Sequence, residues 1–379
     1  MELTRIAHLS TAHPRRELRV HLKQCNSLAA AGFEVYFVVA DGKGDETIGK
    51  VNIVDVGLPA GRRDRFFVAP WKLFRRAAAL NASLYHFHDP ELLPVGLVLK
   101  LRGAKVIYDS HEDVPRSVLS RDWIPAQLRG IVSAVFERFE NFIARRLDRV
   151  VGATPFIAER FRLAGCHALA INNFPLLAEI SHSPERIADG DGICFLGGIS
   201  QVRGVREIVS ALDQTDTRLV LAGPFDREET RAELEALPGW RHVDYLGVVD
   251  RNSALAAMGS AAVGMICYLP EPNHTQAYPN KLFEYMAAGL PVIASDFPLW
   301  RQIVTEADCG ICVDPTDSDQ IANAITELMS NPARRLEMGR NGIRAVLSLY
   351  NWSTEEQKLI GLYASTLMLP PPSGSTSSH

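Results

Sequence analysis

The segment from Tyr278 to Asp296 concentrates residues whose types and spacing suit chemistry. Its pattern predicts a short helix over about 281–288. Pro279 and Asn280 suit its start, Gly289 suits its C-terminal end, and Pro291 leads into an apolar strand. Glu284 is expected in the first turn, where backbone N–H groups lack partners and the helix dipole is positive. A diphosphate suits such a helix start, while the Glu284 carboxylate accepts bonds from ribose hydroxyls. The plain alternative is an amphipathic helix packed on a strand.

A second group follows the apolar run 193–196. Gly197 and Gly198 let a ligand approach the backbone, and Arg203 can reach a phosphate from the start of the next helix. Most Gly-Gly turns only connect elements. Near the beginning, Thr11-Ala12-His13-Pro14 joins a strand to a helix. Arg15 and Arg19 beside it either close over a diphosphate or stand as surface cations. The stretches 85–91 (YHFHDPE) and 108–113 (YDSHED) put His88 and His111 just after strands, facing a cleft. A lone histidine there is more often a structural hydrogen-bonding group, but two His/acid clusters at two strand ends favour a site.

These groups need a scaffold. Short β-branched runs alternate with helical patterns, the mark of a parallel sheet flanked by helices. Strands are expected at 5–10, 35–40, 84–88, 106–109 and 150–153, with helices at 18–31 and about 127–146. Turn formers gather at 172–192, the expected linker. The alternation restarts with strands at 193–196, 218–222, 243–246, 262–267, 292–294 and 311–313. Helices at about 332–347 and 353–368 close the chain, and residues 369–379 read as a disordered Pro/Ser-rich tail. Two doubly wound domains would leave a cleft at the carboxyl ends of both sheets.

At 379 residues, 47% hydrophobic and 22% charged, the chain is a soluble globular protein too long for one core. The net charge of −4 hides an asymmetry: residues 1–180 carry 25 Lys and Arg against 19 Asp and Glu, the rest 15 against 25. A basic first half favours an anionic surface or a phosphate-bearing substrate, and no nucleic-acid motif is visible. Residues 62–76 place six cations among Phe, Trp and Leu with one acid. That composition suits a helix on anionic lipid, or a basic helix whose aromatics pack on its own sheet. No run of eighteen apolar residues and no secretory signal pattern is present, so a cytoplasmic location is expected, with peripheral contact at the inner membrane face left open. Cys309 and Cys312 form a CxxC without a second pair nearby and read as structural thiols. The acid pairs Asp189/Asp191 and Asp317/Asp319 read as solvated loops rather than metal sites.

The segment 278–296 resembles the donor-site helix of the family 4 retaining glycosyltransferases, and the resemblance extends over nearly the whole chain. It implies the α/β GT-B fold: two Rossmann-like doubly wound domains facing each other across a cleft. Residues 1–178 would form the acceptor-side domain and 179–350 the nucleotide-sugar domain. The helix 351–368 would pack back on the first. The implied reaction moves a sugar from a nucleotide-sugar donor with retention, needing neither metal nor other cofactor. The departing diphosphate, steadied by the helix start and Arg203, with Lys281 as a further candidate, can itself take the acceptor's proton.

The family commonly has Arg and Lys at the places of Gly198 and Arg203. Here Arg203 replaces the Lys, while Gly198 removes a donor to the leaving phosphate. Lys281 either supplies that charge or is an ordinary solvent-facing lysine. Of two glutamates usually eight positions apart, Glu284 is the second and Gln276 stands in for the first. Val249 matches the loop that cups the base, and His111 the histidine that contacts the transferred sugar. The resemblance thus implies His111, Arg203 and Glu284 as catalytic. The donor would meet Gly197, Gly198, Val249, Gln276, Asn280 and Lys281 as well, and Arg15, Arg19 and His88 remain acceptor-side or phosphate candidates. The acceptor would be a glycan or lipid-linked precursor of a surface polysaccharide. A non-hydrolysing sugar-nucleotide epimerase of the same fold and a non-catalytic sugar-nucleotide binding protein stay open.

Overall fold

The computed structural model describes residues 3–119, 124–176 and 190–369. The chain divides into two compact units, one of residues 1–173 with 352–379, the other of residues 174–351. Most of the expected linker, Asp189 and all of the tail but Leu369 lie outside the described residues.

The first unit is built on eight strands: β1 (Arg5–Leu9), β2 (Glu34–Val39), β3 (Glu46–Ile48), β4 (Val51–Asp55), β5 (Leu84–Phe87), β6 (Lys105–Ser110), β7 (Arg149–Gly152) and β8 (Ala168–Ala170). Their order is β3-β4-β2-β1-β5-β6-β7-β8, parallel throughout except for β3 against β4. Central strands of such a sheet are covered on both faces and should be apolar. Here β1, β5 and β6 break that rule, because His8, His86, Asp109 and Ser110 are buried in them. β1 pairs with β2 on one side and β5 on the other, so the order reverses beside these polar groups. Ligands of open α/β sheets gather at such a switch point.

The helix expected over 18–31 is not uniform. It opens as a π-helical stretch, Leu18–Cys25, with the Glu17 carboxylate accepting the Val20 N–H at 2.6 Å, and continues as Asn26–Ala30. The wider turn buries Arg19, His21, Lys23 and Gln24 together, and such turns recur at functional sites. The closing helix Trp352–Leu367 belongs to this unit. Trp352 Nε1–H donates to Ser27 Oγ at 2.9 Å, and Glu355 accepts the Asn172 N–H at 3.0 Å.

The second unit has six parallel strands: β9 (Ile193–Leu196), β10 (Leu219–Ala222), β11 (Val243–Tyr245), β12 (Val263–Ile266), β13 (Val292–Ser295) and β14 (Gly310–Val313). Their order is β11-β10-β9-β12-β13-β14, with the switch point between β9 and β12. Four of the six, β9, β10, β12 and β13, are buried along their whole length, which is why they read as apolar runs. All six cysteines are free thiols, and burial pushes Cys309 up to about 12 and Cys312 up to about 11, the behaviour of inert structural groups.

Candidate functional site

In the second unit the site starts where β9 ends. Gly197 (φ +145°) and Gly223 (φ +144°) lie so close that a Cβ on Gly223 would stand 1.9 Å from the Gly197 carbonyl oxygen. Gly204 is left-handed, and a Cβ there would meet the Cys267 carbonyl. These contacts draw the turn Gln201–Arg203 inward, so the Arg203 guanidinium lies over the glycine loop. Its Nη1 is 3.0 Å from where a Gly197 Cβ would stand and 3.7 Å from the same point on Gly198. The guanidinium also sits 5.5 Å from the centroid of the Tyr268 ring, within cation–π range. Burial pushes the Tyr268 phenol up.

The helix Asn280–Ala287 supplies the second cation. Its C-terminus closes as the residues predict: Gly289 is left-handed, its N–H donates to Met286 O and the Leu290 N–H to Tyr285 O. Tyr285 fixes the helix against the sheet, since its hydroxyl accepts the Leu196 N–H at 3.0 Å and its ring fills the space left by Gly264. The helix begins at Asn280, one residue earlier than expected, with Pro279 at the N-cap position. Glu284 therefore falls in the second turn, not the first. It takes a 2.5 Å ion pair from Lys281, whose Cε also lies 3.9 Å from the Cβ point of Gly197. Lys281 is thus held between the carboxylate and the glycine loop rather than facing solvent alone. Asn280 and Gln276 are exposed near the helix start, and Val249 packs on the core while its neighbour Val248 is exposed.

The first unit holds a polar cluster at its own switch point. Asp109, at the end of β6, receives Arg19 (Nη2 to Oδ1 2.8 Å, Nε to Oδ2 3.2 Å) and Gln24 (Nε2 to Oδ2 2.7 Å). Burial pushes its carboxyl up, but Arg19 and the neighbouring imidazoles outweigh that and hold it well below the usual carboxylate range. His88 and His111 both reach Asp109 Oδ2, at 3.3 and 3.4 Å. Burial pulls His8, His86 and His88 well below the ordinary histidine value, so all three are neutral. Asp89 has a structural duty: it accepts Ser10 Oγ–H and the Thr11 N–H, both at 2.7 Å, and so pins the loop after β1. Above these groups opens a cleft of about 1490 Å³, whose lining includes His13, His88, His111, Phe67, Phe136 and Phe139.

Two candidates are corrected. Arg15 is buried against Asp41 and Glu46, each at 2.5 Å, and holds the Asp41 carboxyl below its usual range. Arg19 is spent on Asp109 and the Ile171 carbonyl. Both guanidiniums are tied to their own unit and are not free phosphate clamps. His88 and His111 come together, with His88 buried and His111 at the cleft. Tyr268 and Tyr363 escaped the sequence reading because each stands on an element with no local chemical pattern, and the role of Tyr285 because its partner Leu196 lies 89 residues away.

The basic stretch divides its aromatics. Leu73 is buried and Phe74 packs on the core, whereas Phe66, Phe67 and Trp71 are exposed. Arg65 pairs with Glu91 and Arg76 with Asp45. Among the described residues no helix is long and apolar enough to cross a membrane.

Two parallel-sheet α/β domains, each with its candidate residues at a switch point, define a glycosyltransferase of the GT-B fold. Residues 19–173 match the glycosyl transferase 4-like domain and residues 179–345 the glycosyl transferases group 1 domain, and the chain belongs to the family 4 glycosyltransferases. It is 28% identical over 295 residues to the phosphatidyl-myo-inositol mannosyltransferase of Mycobacterium leprae, covering 74% of this chain and 73% of that one. Identity to the D-rhamnosyltransferase WbpZ of Pseudomonas aeruginosa is 25% over 292 residues, 73% and 71% of the two chains. Among solved structures, sucrose-phosphate synthase of Thermosynechococcus elongatus superposes with a TM-score of 0.78 at 20% identity, over 96% and 99% of the chains. HepE of Anabaena in complex with UDP gives 0.70 at 15%, over 95% and 100%.

Proposed function

We propose that this glycosyltransferase transfers a hexose-type sugar, with retention at the anomeric carbon, from a nucleotide-sugar donor to a glycan or lipid-linked acceptor. The observation that carries the reading is the placing of Arg203 and Lys281 on the Gly197–Gly198 loop, with Glu284 beside Lys281. Two cations over an exposed backbone loop suit a diphosphate whose charge grows as the sugar leaves. Glu284 then offers a carboxylate to ribose hydroxyls, and Gln276, Asn280 and Val249 are the residues assigned in this reading to the sugar and base. The UDP of HepE and the lipid acceptor named for the mycobacterial mannosyltransferases support donor and acceptor classes of this kind. The cleft of the first unit, polar at its histidine floor and lined elsewhere by Phe67, Phe136 and Phe139, suits an acceptor with a hydroxylated head and an apolar tail.

No metal is needed in this scheme, because the cations are side chains. The work would take place at the inner face of the cell membrane, with residues 62–76 on anionic lipid, in surface polysaccharide synthesis. The test is incubation of the metal-chelated protein with a panel of nucleotide sugars and a membrane lipid extract. Nucleoside diphosphate release with an α-linked product from an α-linked donor is expected. Epimer formation without release would replace the reading with an epimerase, and binding without either with a sugar-nucleotide binding protein.

A further inference from the structure

In the second unit, the loop that follows β12 brings His274 to the Arg203 side of the glycine loop. Leu269 makes the connection. Its N–H donates to the Val202 carbonyl at 3.0 Å, and its own carbonyl stands 3.1 Å from His274 Nδ1. One residue therefore holds the loop to the turn that carries Arg203 and also holds the imidazole in place. Tyr268 bridges the two side chains. Its ring centroid is 5.0 Å from that of His274 and 5.5 Å from the Arg203 guanidinium, and the ring itself is buried against Trp300.

A carbonyl oxygen only accepts, so the contact with Leu269 places a proton on His274 Nδ1. Burial pulls His274 below the ordinary histidine value; the Leu269 carbonyl opposes that pull and the Arg203 guanidinium adds to it. The ring is therefore neutral at pH 7.5, and a neutral imidazole has one proton. Nε2 is left as a bare lone pair. It makes no hydrogen bond to a described residue, and it is not sealed in the core, since the side chain is only partly buried. The tautomer follows from a single contact whose direction is not open to choice.

What such an atom can read is limited. Both phosphates of a nucleotide sugar are ionised at neutral pH and only accept, so they cannot pair with a bare nitrogen. The partner must donate. On the glycosyl-transfer reading, Arg203 and Lys281 on the glycine loop take the phosphates and Glu284 takes the ribose. The hydroxyls of the transferred sugar are the donors left beside Arg203. The competing role is a tether: the Nδ1–H bond closes the loop 269–274 and Nε2 meets only water.

We propose that His274 is a specificity-determining residue of the donor site, its Nε2 accepting a hydrogen bond from one hydroxyl of the sugar attached to the diphosphate. The identity of the hydroxyl rests on the glycosyl-transfer reading, but the tautomer does not. A site built to accept from a hydroxyl rejects an analogue lacking it by far more than a shape fit can. A neutral acceptor also suits this place. A carboxylate there would pair with the Arg203 guanidinium and draw it away from the phosphates.

Two variants separate the roles, because Asn puts an N–H where Nδ1 stands and Gln puts an acceptor where Nε2 stands. His274→Asn keeps the bond to Leu269 and loses the acceptor; His274→Gln does the reverse. Calorimetry on the full chain uses a panel that includes UDP-glucose and GDP-mannose, each against its parent nucleoside diphosphate. His274→Asn should weaken the nucleotide sugar that wild type binds by about tenfold and leave its nucleoside diphosphate unchanged, with His274→Gln recovering most of the loss. Among monodeoxy forms of that nucleotide sugar, one should bind wild type and His274→Asn equally, and it identifies the hydroxyl. The opposite order, with His274→Asn like wild type and His274→Gln lowered in Tm and in affinity for both ligands, would make His274 a tether only. Equal loss for the nucleotide sugar and the nucleoside diphosphate would move the contact off the sugar and overturn the proposal. Long-range proton–nitrogen spectroscopy at pH 7.5, with His274 assigned by its loss in His274→Gln, should show Nδ1–H and a bare Nε2 that shifts when the nucleotide sugar is added. Nε2–H or double protonation there would overturn the proposal with no ligand present. Failure of the donor reading looks different: no nucleotide sugar of the panel binds wild type, and the sugar contact falls with it.

Discussion

Lys281 Nζ lies 2.5 Å from Glu284 Oε2 while the same side chain reaches within 3.9 Å of the point above Gly197. One lysine therefore couples the carboxylate expected to read the ribose with the loop expected to hold the phosphates. Glu284→Ala should weaken donor binding by about 1.5–3 kcal/mol, roughly ten- to hundredfold in Kd, because the ribose hydroxyls lose a charged acceptor. Glu284→Gln keeps the shape and should recover part of it. Calorimetry with the best donor of the panel decides. Unchanged affinity in a folded Ala variant would remove Glu284 from the site.

Arg203 makes a different prediction. Negative charge on the departing diphosphate grows toward the transition state, so Arg203→Ala should lower kcat more than it raises the donor KM. Loss of one such electrostatic partner typically costs about a hundredfold or more in kcat. Steady-state kinetics of donor cleavage separates the two constants. A change confined to KM would give Arg203 a ground-state binding role only.

How much of this was legible depends on distance along the chain. The two-sheet architecture was readable because β9, β10, β12 and β13 are buried along their length and appear as apolar runs. The edge strands β3 and β8, of three residues each, carry no such signal, and β4 inside them is fully buried at only three of its five positions. Glu284 shifted turn because boundary residues move easily by one position, here with Pro279 taking the cap. The Arg15 and Arg19 partners were out of reach: Asp41, Glu46 and Asp109 lie 26, 31 and 90 residues away. Tyr363 stands 355 residues from His8, and no local pattern announces a tyrosine that completes a histidine chain.

Stability should depend on pH through that chain. His8, His86 and His88 are held well below 6.5, chiefly by burial, so the folded protein binds fewer protons than the unfolded chain. Above about pH 6.5 neither state is protonated at these sites and no penalty exists. As pH falls below that value the unfolded chain takes up protons and gains about 1.4 kcal/mol per histidine per unit, until the folded values are reached. Between pH 7.0 and 5.5 the three should together remove about 3–4 kcal/mol. Urea midpoints at the two pH values measure it. An unchanged midpoint would mean that these rings take up protons in the folded protein as readily as in the unfolded chain.

The last prediction concerns residues 62–76. Phe66, Phe67 and Trp71 are 46, 73 and 50% exposed, and Arg63, Lys72 and Arg75 are exposed beside them. Leu73 and Phe74 already serve the core, so the outward aromatics are surplus to folding. Basic residues near an anionic surface contribute about 1 kcal/mol each, and Arg63/Lys72/Arg75→Gln should therefore weaken vesicle binding about a hundredfold. The difference should shrink as salt rises and the Debye length falls. Trp71→Ala should weaken binding with little change in Tm, because its ring is half-exposed against Phe74. Sedimentation with phosphatidylglycerol-rich and with neutral vesicles gives the answer. Equal pelleting with both would remove the membrane surface and leave the exposed aromatics to a soluble acceptor.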